Sequence, residues 1–460
     1  MGKPNIVYIM IDACRAQALG CYGFSKNVSP NIDALAKKGL LCKQAFSSHT
    51  VTDHSRISLL GGRHLIPEEK LDFIVTQDVI DRFFESGGKF LQEYLQDAGY
   101  HTQSFKELKG WRGQGFDVVA TDRKSKKKFV QSVASMVNRI PLVSSVAKHV
   151  FYKGLPKKMT DAVRRTVGGE QETNDAVRFL KRQDGKKPFF MYLEYKSAHM
   201  PYAVDEPFAT RFREDDDRLF FDVIKERNFS KELLAFYKTV FDPRETMAGI
   251  IGRYYGAIAY IDSLVGRVVE ALDETGLREN TLIVLTADHG ESLIEHDIFF
   301  EHYGLYDVTT QVPLIISGKG FSGSQDGLVQ LEDVVPTLLK AAGIAHDADA
   351  FDGFDVVSGK GRDFVFMEES FMQRKQALRD ARYKLIMAPS RKEATCVRTG
   401  AVQGGVVELY DLIADPLEEH SLVKEKQDVV VRMATQLRQT VDVMKTREEK
   451  RRIAMRLESL

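Results

Sequence analysis

Long apolar runs are missing from this 460-residue sequence. None approaches the ~18–20 consecutive apolar residues that carry a helix across a bilayer, which points to a soluble chain. Cysteine is scarce as well. The four present, Cys14, Cys21, Cys42 and Cys396, form no CxxC pair, and so few thiols in so long a chain fit a reduced cytoplasmic protein better than a disulfide framework. Net charge is also absent, because 65 Lys and Arg balance 65 Asp and Glu. That balance removes any global field that would draw in nucleic acid, so a basic surface has to be local. The opening "MGKPNIVYIMIDACRA" has neither a charged leader nor a small-residue cleavage site, and it reads as a first strand.

What is present alternates. "NIVYIMI" (Asn5–Ile11), "FFMYLEY" (Phe189–Tyr195), "TLIVLTA" (Thr281–Ala287) and "VPLIIS" (312–317) have the length and unbroken apolar character of buried parallel strands. Helical patterns such as "NIDALAKKG", "KFLQEYLQDAG" and "YYGAIAYIDSLVGRVVEALDETG" lie between them. The pattern predicts an α/β domain over 1–355, a mostly parallel sheet sandwiched by helices. From 356 to 460 the texture changes. "RDFVFMEES", "ALRDARYKLIM" and "VVELYDL" predict a smaller C-terminal subdomain with an antiparallel sheet, closed by a long charged helix from Lys424. Residues 121–170 carry twelve Lys and Arg against three Asp and Glu. They read either as a solvated helical insertion or as a basic amphipathic segment that rests on an anionic membrane surface or contacts a charged substrate.

Open parallel sheets bind ligands at the carboxyl ends of their strands. The polar residues just past those ends are Asp12, His199, and the pair Asp288 and His289. The last two open "TADHGESLIEHDIFFEHYGLYD", a stretch dense in carboxylates and imidazoles that reads as a solvated loop or as a source of metal ligands. Asp288, His289 and Asp12 together offer three ligands for one divalent cation.

A second stretch, "TDHSRISLLGGR" (52–63), brings a family into view. It matches in register the nucleophile motif of the sulfatase family of the alkaline phosphatase superfamily, which reads Cys or Ser, any residue, Pro, Ser, Arg, and closes on Leu-Thr-Gly-Arg. "IDACRAQALGCYG", "GYHTQSF", "SAHMPY", "TADHGE", "EDVVPTLLKAAGI", "ARYKLI" and "ELYDLIADPLEEHSL" follow the family's order along nearly the whole chain. The chain thus resembles a sulfatase-like hydrolase or transferase with an alkaline-phosphatase-like fold.

The departures from that pattern matter. Family sulfatases oxidise the motif's Cys or Ser to formylglycine, and Thr52 cannot form that aldehyde. The resemblance then implies that Thr52 acts as an unmodified alkoxide, activated by metal. A covalent ester on threonine is cleared by a second displacement, which phosphorus tolerates better than sulfur. The main expectation is therefore a phosphoester hydrolase or phosphotransferase, with a sulfate-ester hydrolase and a non-catalytic binding or scaffold member as alternatives. The metal set implied is Asp12, Thr52, Asp288 and His289, similar to that of phosphoethanolamine transferases, lipoteichoic-acid synthases and phosphonate monoester hydrolases. Ala13 stands where many sulfatases carry a second aspartate, which favours manganese or zinc over calcium or magnesium.

The resemblance also assigns roles. Arg56 would hold Thr52 or an ester oxygen, while His199 and His302 would contact the oxyanion and protonate the leaving group. Arg15 would support the site, Ser55 would cap the helix, and His54 would cap it or assist proton transfer. Lys106 and Lys109 fall near the family's Gly-Lys-Trp-His lysine, but out of register. The expected substrate is a small-molecule, glycan or lipid-headgroup ester, and the expected location is the cytoplasm, including its membrane surface.

Overall fold

The structure, a computed structural model, describes residues 2–64, 75–120 and 168–458, apart from 217, 228, 358 and 398. Except for its last three residues, the basic segment 121–170 lies outside the described residues, and so does the membrane contact expected of it. The main sheet comprises β1 (Asn5–Ile11), β2 (Leu40–Phe46), β3 (His101–Ser104), β4 (Val118–Val119), β5 (Phe189–Tyr195), β6 (Thr281–Ala287), β7 (Leu314–Ser317) and β8 (Gly323–Gln330). Their order across the sheet is β4-β3-β5-β1-β6-β7-β2-β8. β1 lies between β5 and β6, parallel to both, and every residue of all three strands is buried. Burial on both faces explains why these runs lack polar alternation.

The α/β expectation holds, with one correction. The run 312–317, expected to be parallel, supplies β7, which pairs antiparallel with both β6 and β2. The reason is the connection. Residues 288–313 contain only short helical turns, so the chain stays at the edge where β6 ended and re-enters the sheet from there. All other pairings in this sheet are parallel.

The expected helices form at Pro30–Lys38, Leu91–Asp97 and Met247–Glu274. The latter two are followed within two residues by Gly99 and Gly276, whose φ values of 88° and 69° belong to the left-handed region where glycine stops a helix at least cost. The helix Met247–Glu274 buries Tyr254, Ile258, Ile261 and Val265, and Tyr254 reaches the end of β1. No helix among the described residues is long and apolar enough to cross a membrane.

A second sheet, β12-β11-β10-β9, is antiparallel throughout. It comprises β9 (Val365–Ser370), β10 (Arg374–Arg379), β11 (Tyr383–Met387) and β12 (Val407–Asp411). The final helix, Gln427–Glu458, covers one face: Met433 and Ala434 pack with Leu385 and Leu409, and Leu437 packs with Phe366 and Leu378. β9 touches the main domain at one informative point, where the Glu368 N–H donates to the Ser48 carbonyl at 2.8 Å. Ser48 belongs to the loop that leads into the helix Thr52–Gly61. The second sheet therefore braces the segment that presents Thr52.

Candidate active site

Strand register decides which side chains meet. Ile11 pairs with Tyr195 on one side and Ala287 on the other. The next residue of each strand, Asp12, Lys196 and Asp288, therefore emerges side by side at the carboxyl edge of the sheet. His289 follows directly.

Asp288 Oδ1 accepts the backbone N–H groups of His289 at 3.0 Å and Ala13 at 3.3 Å. Its Oδ2, like Asp12 Oδ1, is buried with no hydrogen-bond partner among the described residues. His289 Nδ1 lies 2.8 Å from the Gly290 carbonyl, which assigns the proton to that nitrogen and the lone pair to Nε2. Nε2 stands 3.5 Å from Asp288 Oδ2, 3.7 Å from Asp12 Oδ1 and 3.4 Å from Thr52 Oγ1. Two orphaned carboxylate oxygens facing one lone-pair nitrogen cost free energy unless a cation joins them. Burial raises the Asp288 carboxyl above its ordinary range, with Asp12 adding to the shift and His289 opposing it. Asp12, Asp288 and His289 form the one cluster of metal-ligating side chains found among the described residues. Two carboxylates and an imidazole fit a divalent ion.

Ala13, where the resemblance places a second aspartate, bends the chain out of β1 with φ at 62°. Its N–H is held by Asp288, and its carbonyl accepts from Tyr254 Oη at 3.0 Å. Those two contacts sustain a left-handed alanine, a conformation that costs about 1 kcal/mol or more.

Thr52 is the first residue of its helix, so its hydroxyl sits at the positive end of the helix dipole. Ser55, expected as the cap, lies inside the first turn, its N–H bonded to the Val51 carbonyl. Its hydroxyl donates to the His49 carbonyl at 2.9 Å and ties the helix to the loop before it. His54 is buried, with neither ring nitrogen hydrogen-bonded among the described residues, and burial pushes its pKa down to about 4. It does not cap the helix.

Arg56 is held by two acids. Its Nη1 lies 3.0 Å from Asp53 Oδ1 and its Nη2 2.7 Å from Glu194 Oε2, all buried. Both outer nitrogens are therefore engaged by carboxylates rather than by Thr52. Arg112 joins the same network through Nε, 2.7 Å from Asp53 Oδ1. The far side is closed by Lys196, whose Nζ is 3.2 Å from Glu194 Oε1 and 3.7 Å from Asp12 Oδ2. Burial opposes ionisation of Glu194, yet Arg56, Lys196 and Lys106 outweigh it and hold the carboxyl well below its usual range.

His302 and His199 both lie beside the Asp12, Asp288 and His289 cluster. The His302 ring stacks on His289 with centroids 4.2 Å apart, and His199 lies 5.3 Å from His302. His302 Nδ1 meets the Thr50 carbonyl at 2.5 Å and His199 Nδ1 meets the Met200 carbonyl at 3.0 Å. Their charge tendencies differ. Burial, with His289 and His199 adding, lowers the His302 pKa. Burial also works against a charged His199, but Asp12 and Glu291 overcome it and raise its pKa.

Arg15 supports the site from outside, with Nη1 2.6 Å from Glu295 Oε1 and Nη2 3.1 Å from Tyr255 Oη. Lys109 is largely solvent-exposed and pairs with Glu107 at 3.0 Å, away from the corner. Lys106 bears on the site through the charge it presents to Glu194. Sequence reasoning missed Glu194, Lys196 and Arg112. The available signal was an acid inside the apolar run "FFMYLEY", with a lysine at the end of it.

A mostly parallel sheet carrying a two-carboxylate, one-imidazole corner beside a hydroxyl at a helix N-terminus defines a metal-dependent ester hydrolase of the alkaline phosphatase superfamily. The chain belongs to the sulfatase family, whose profile matches residues 4–344. It is similar to an arylsulfatase of Clostridium perfringens, 25% identical over 470 residues that span 92% of this chain and 91% of that one. Among solved structures, the phosphonate monoester hydrolase of Agrobacterium radiobacter superposes with a TM-score of 0.65 at 19% identity, covering 97% of this chain and 96% of that one. A protein solved in complex with its substrate D-glucosamine-2-N,6-O-disulfate gives a TM-score of 0.65 at 17% identity, covering 96% of this chain and 98% of that one. At such identities the structural likeness shows the shared fold.

Proposed function

We propose that this chain hydrolyses a sulfate ester of a small molecule or sugar at one divalent ion held by Asp12, Asp288 and His289. The observation that carries the reading is the convergence of Asp12 Oδ1, Asp288 Oδ2 and His289 Nε2 within reach of Thr52 Oγ1. Family membership and the arylsulfatase relative favour sulfate, and the disulfated glucosamine bound by a structural neighbour favours a sugar. A divalent ion there would neutralise charge on the ester's non-bridging oxygens and acidify an oxygen beside it. The chain supplies the rest. Thr52 places a hydroxyl beside that corner, and Arg56 fixes the helix that carries it by pairing with Asp53 and Glu194. His199 and His302 differ in their proton chemistry: against burial, Asp12 and Glu291 raise the His199 pKa, which suits it to donate, while burial lowers that of His302, which keeps its proton on Nδ1 against the Thr50 carbonyl.

One observation favours a second reading. Thr52 is a secondary alcohol that cannot become an aldehyde, so a covalent ester on it has to be cleared by attack at the central atom. Phosphorus undergoes that displacement readily, which favours a phosphoester hydrolase or phosphotransferase working through phosphothreonine. A panel of aryl sulfate, phosphate monoester, phosphodiester and phosphonate, assayed on manganese- and zinc-loaded protein, separates the two. Fastest turnover of the sulfate is expected. Fastest turnover of a phosphorus ester, with a phosphoryl group trapped on Thr52 by intact mass, would replace the first reading with the second.

A further inference from the structure

We propose that Lys196 is the second cation of this site, binding a non-bridging oxygen of the substrate ester while sharing Asp12 with the metal. The proposal rests on the ester-hydrolase reading and extends it to a residue no motif identifies. Register carries the first part. Lys196 follows β5 as Asp12 follows β1 and Asp288 follows β6, so all three side chains issue from one row at the carboxyl edge. Distance carries the second. Nζ is anchored on Glu194 at 3.2 Å and stands 3.7 Å from Asp12 Oδ2, just beyond a direct hydrogen bond. An ammonium has three donors, and Glu194 occupies one. An anionic oxygen entering between Lys196 and the corner would take another.

The neighbouring cations are placed differently. The Arg56 side chain is 4% exposed and paired twice, and that of Arg112 is 25% exposed and paired with Asp53, whereas that of Lys196 is 47% exposed. Asp12 divides its oxygens accordingly, with Oδ1 toward His289 and the metal corner and Oδ2 toward Lys196. Where Ala13 withholds a second aspartate, the chain places a positive charge on the other side of the first. The ammonium beside Asp12 favours an anionic substrate there.

Calorimetric titration of inorganic sulfate and phosphate into manganese-loaded protein tests this, with manganese affinity measured in parallel. Lys196→Met should weaken anion binding about tenfold or more, the scale of one charge-assisted hydrogen bond. Lys196→Arg should recover most of it, and manganese should bind the Met variant at least as tightly as wild type. In turnover, Lys196→Met should raise KM more than it lowers kcat. Lys196→Gln, closer in shape, repeats the test should the Met variant fold poorly. Anion affinity within twofold of wild type in a folded Met or Gln variant would overturn the proposal while leaving the ester-hydrolase reading intact. Wild type that binds neither anion and turns over no ester would overturn both.

Discussion

Two buried carboxylate pairs in this molecule are built from the same parts and finished differently. Near the second sheet, Asp307 and Glu418 share Lys384, whose Nζ lies 2.5 Å from Asp307 Oδ1 and 2.7 Å from Glu418 Oε1. The Asp307 N–H also donates to Glu418 Oε2 at 2.6 Å. At the end of the main sheet, Asp12 and Asp288 face each other with His289 between them and an unpartnered oxygen on each. The titration of the aspartates follows. Burial opposes a charged Asp307, but Lys384 and Arg379 overcome it and hold the group low, while burial outweighs Lys384 at Glu418 and raises it to about 7, as burial also raises Asp288. A pair bridged by one lysine within 2.7 Å of both acids is a structural joint, whereas at the open pair Lys196 stands 3.7 Å from Asp12 alone. A pair that leaves an oxygen open on each acid costs stability, and with His289 it forms a group that could hold a metal ion.

The largest expected effects come from breaking the open pair's chemistry. Thr52→Ala and His289→Ala should each lower ester turnover on the order of a thousandfold in initial-rate assays with manganese present. Only His289→Ala should lose metal affinity as well. A Thr52→Ala enzyme within a few fold of wild type would remove the threonine from the chemistry and leave the metal corner standing.

The closed pair should answer in stability instead. Lys384→Met removes the ammonium that joins two buried carboxyls, leaving Asp307 with Arg379 and Glu418 with no ion pair among the described residues, and should cost about 3–5 kcal/mol in urea unfolding. Asp288→Asn in metal-free protein should cost less than about 1 kcal/mol, because it relieves a repulsion rather than exposing one. Equal losses in the two variants would erase the distinction between the pairs.

A third buried carboxyl sharpens the comparison. Glu368, beside the loop that leads to Thr52, lies in no ion pair among the described residues, and burial pushes its pKa from 4.5 to about 7 against the opposing pull of His64 and Arg374. A carboxyl whose folded pKa is raised keeps a proton that the unfolded chain has released. Its contribution is therefore most favourable below pH 4.5, is lost as pH rises from there to about 7, and is level above that. Glu368→Gln should flatten that slope in unfolding measurements across the interval, by up to about 3 kcal/mol. An unchanged slope would mean that Glu368 ionises as it does in water.

Much of this arrangement was legible in the sequence, and what was hidden has definite causes. Continuous apolar runs gave away β1, β5 and β6, because strands buried on both faces need no polar alternation. A strand end is also where a ligand residue sits, so Asp12, Asp288 and His289 could be identified from position and chemistry together. β2 was harder, since Lys43 and Gln44 interrupt a strand near the sheet's edge. The direction of β7 depends on the route of the 288–313 loop, which composition does not reveal. Lys196 was hidden because its importance depends on register: only when Tyr195 is seen opposite Ile11 does the following lysine fall beside Asp12. Arg56 was recognised by motif, but the two acids that claim it come from the adjacent turn and from β5, and the pairing emerges only in three dimensions.

Divalent-metal stoichiometry and affinity by calorimetry, on wild type alongside Asp288→Asn and Thr52→Ala, test the central claim most directly. The account predicts one manganese or zinc ion per wild-type chain, binding weakened at least about tenfold in Asp288→Asn, and binding retained in Thr52→Ala. Wild type that takes up no divalent ion, or an Asp288→Asn variant that binds it as tightly as wild type, would contradict it.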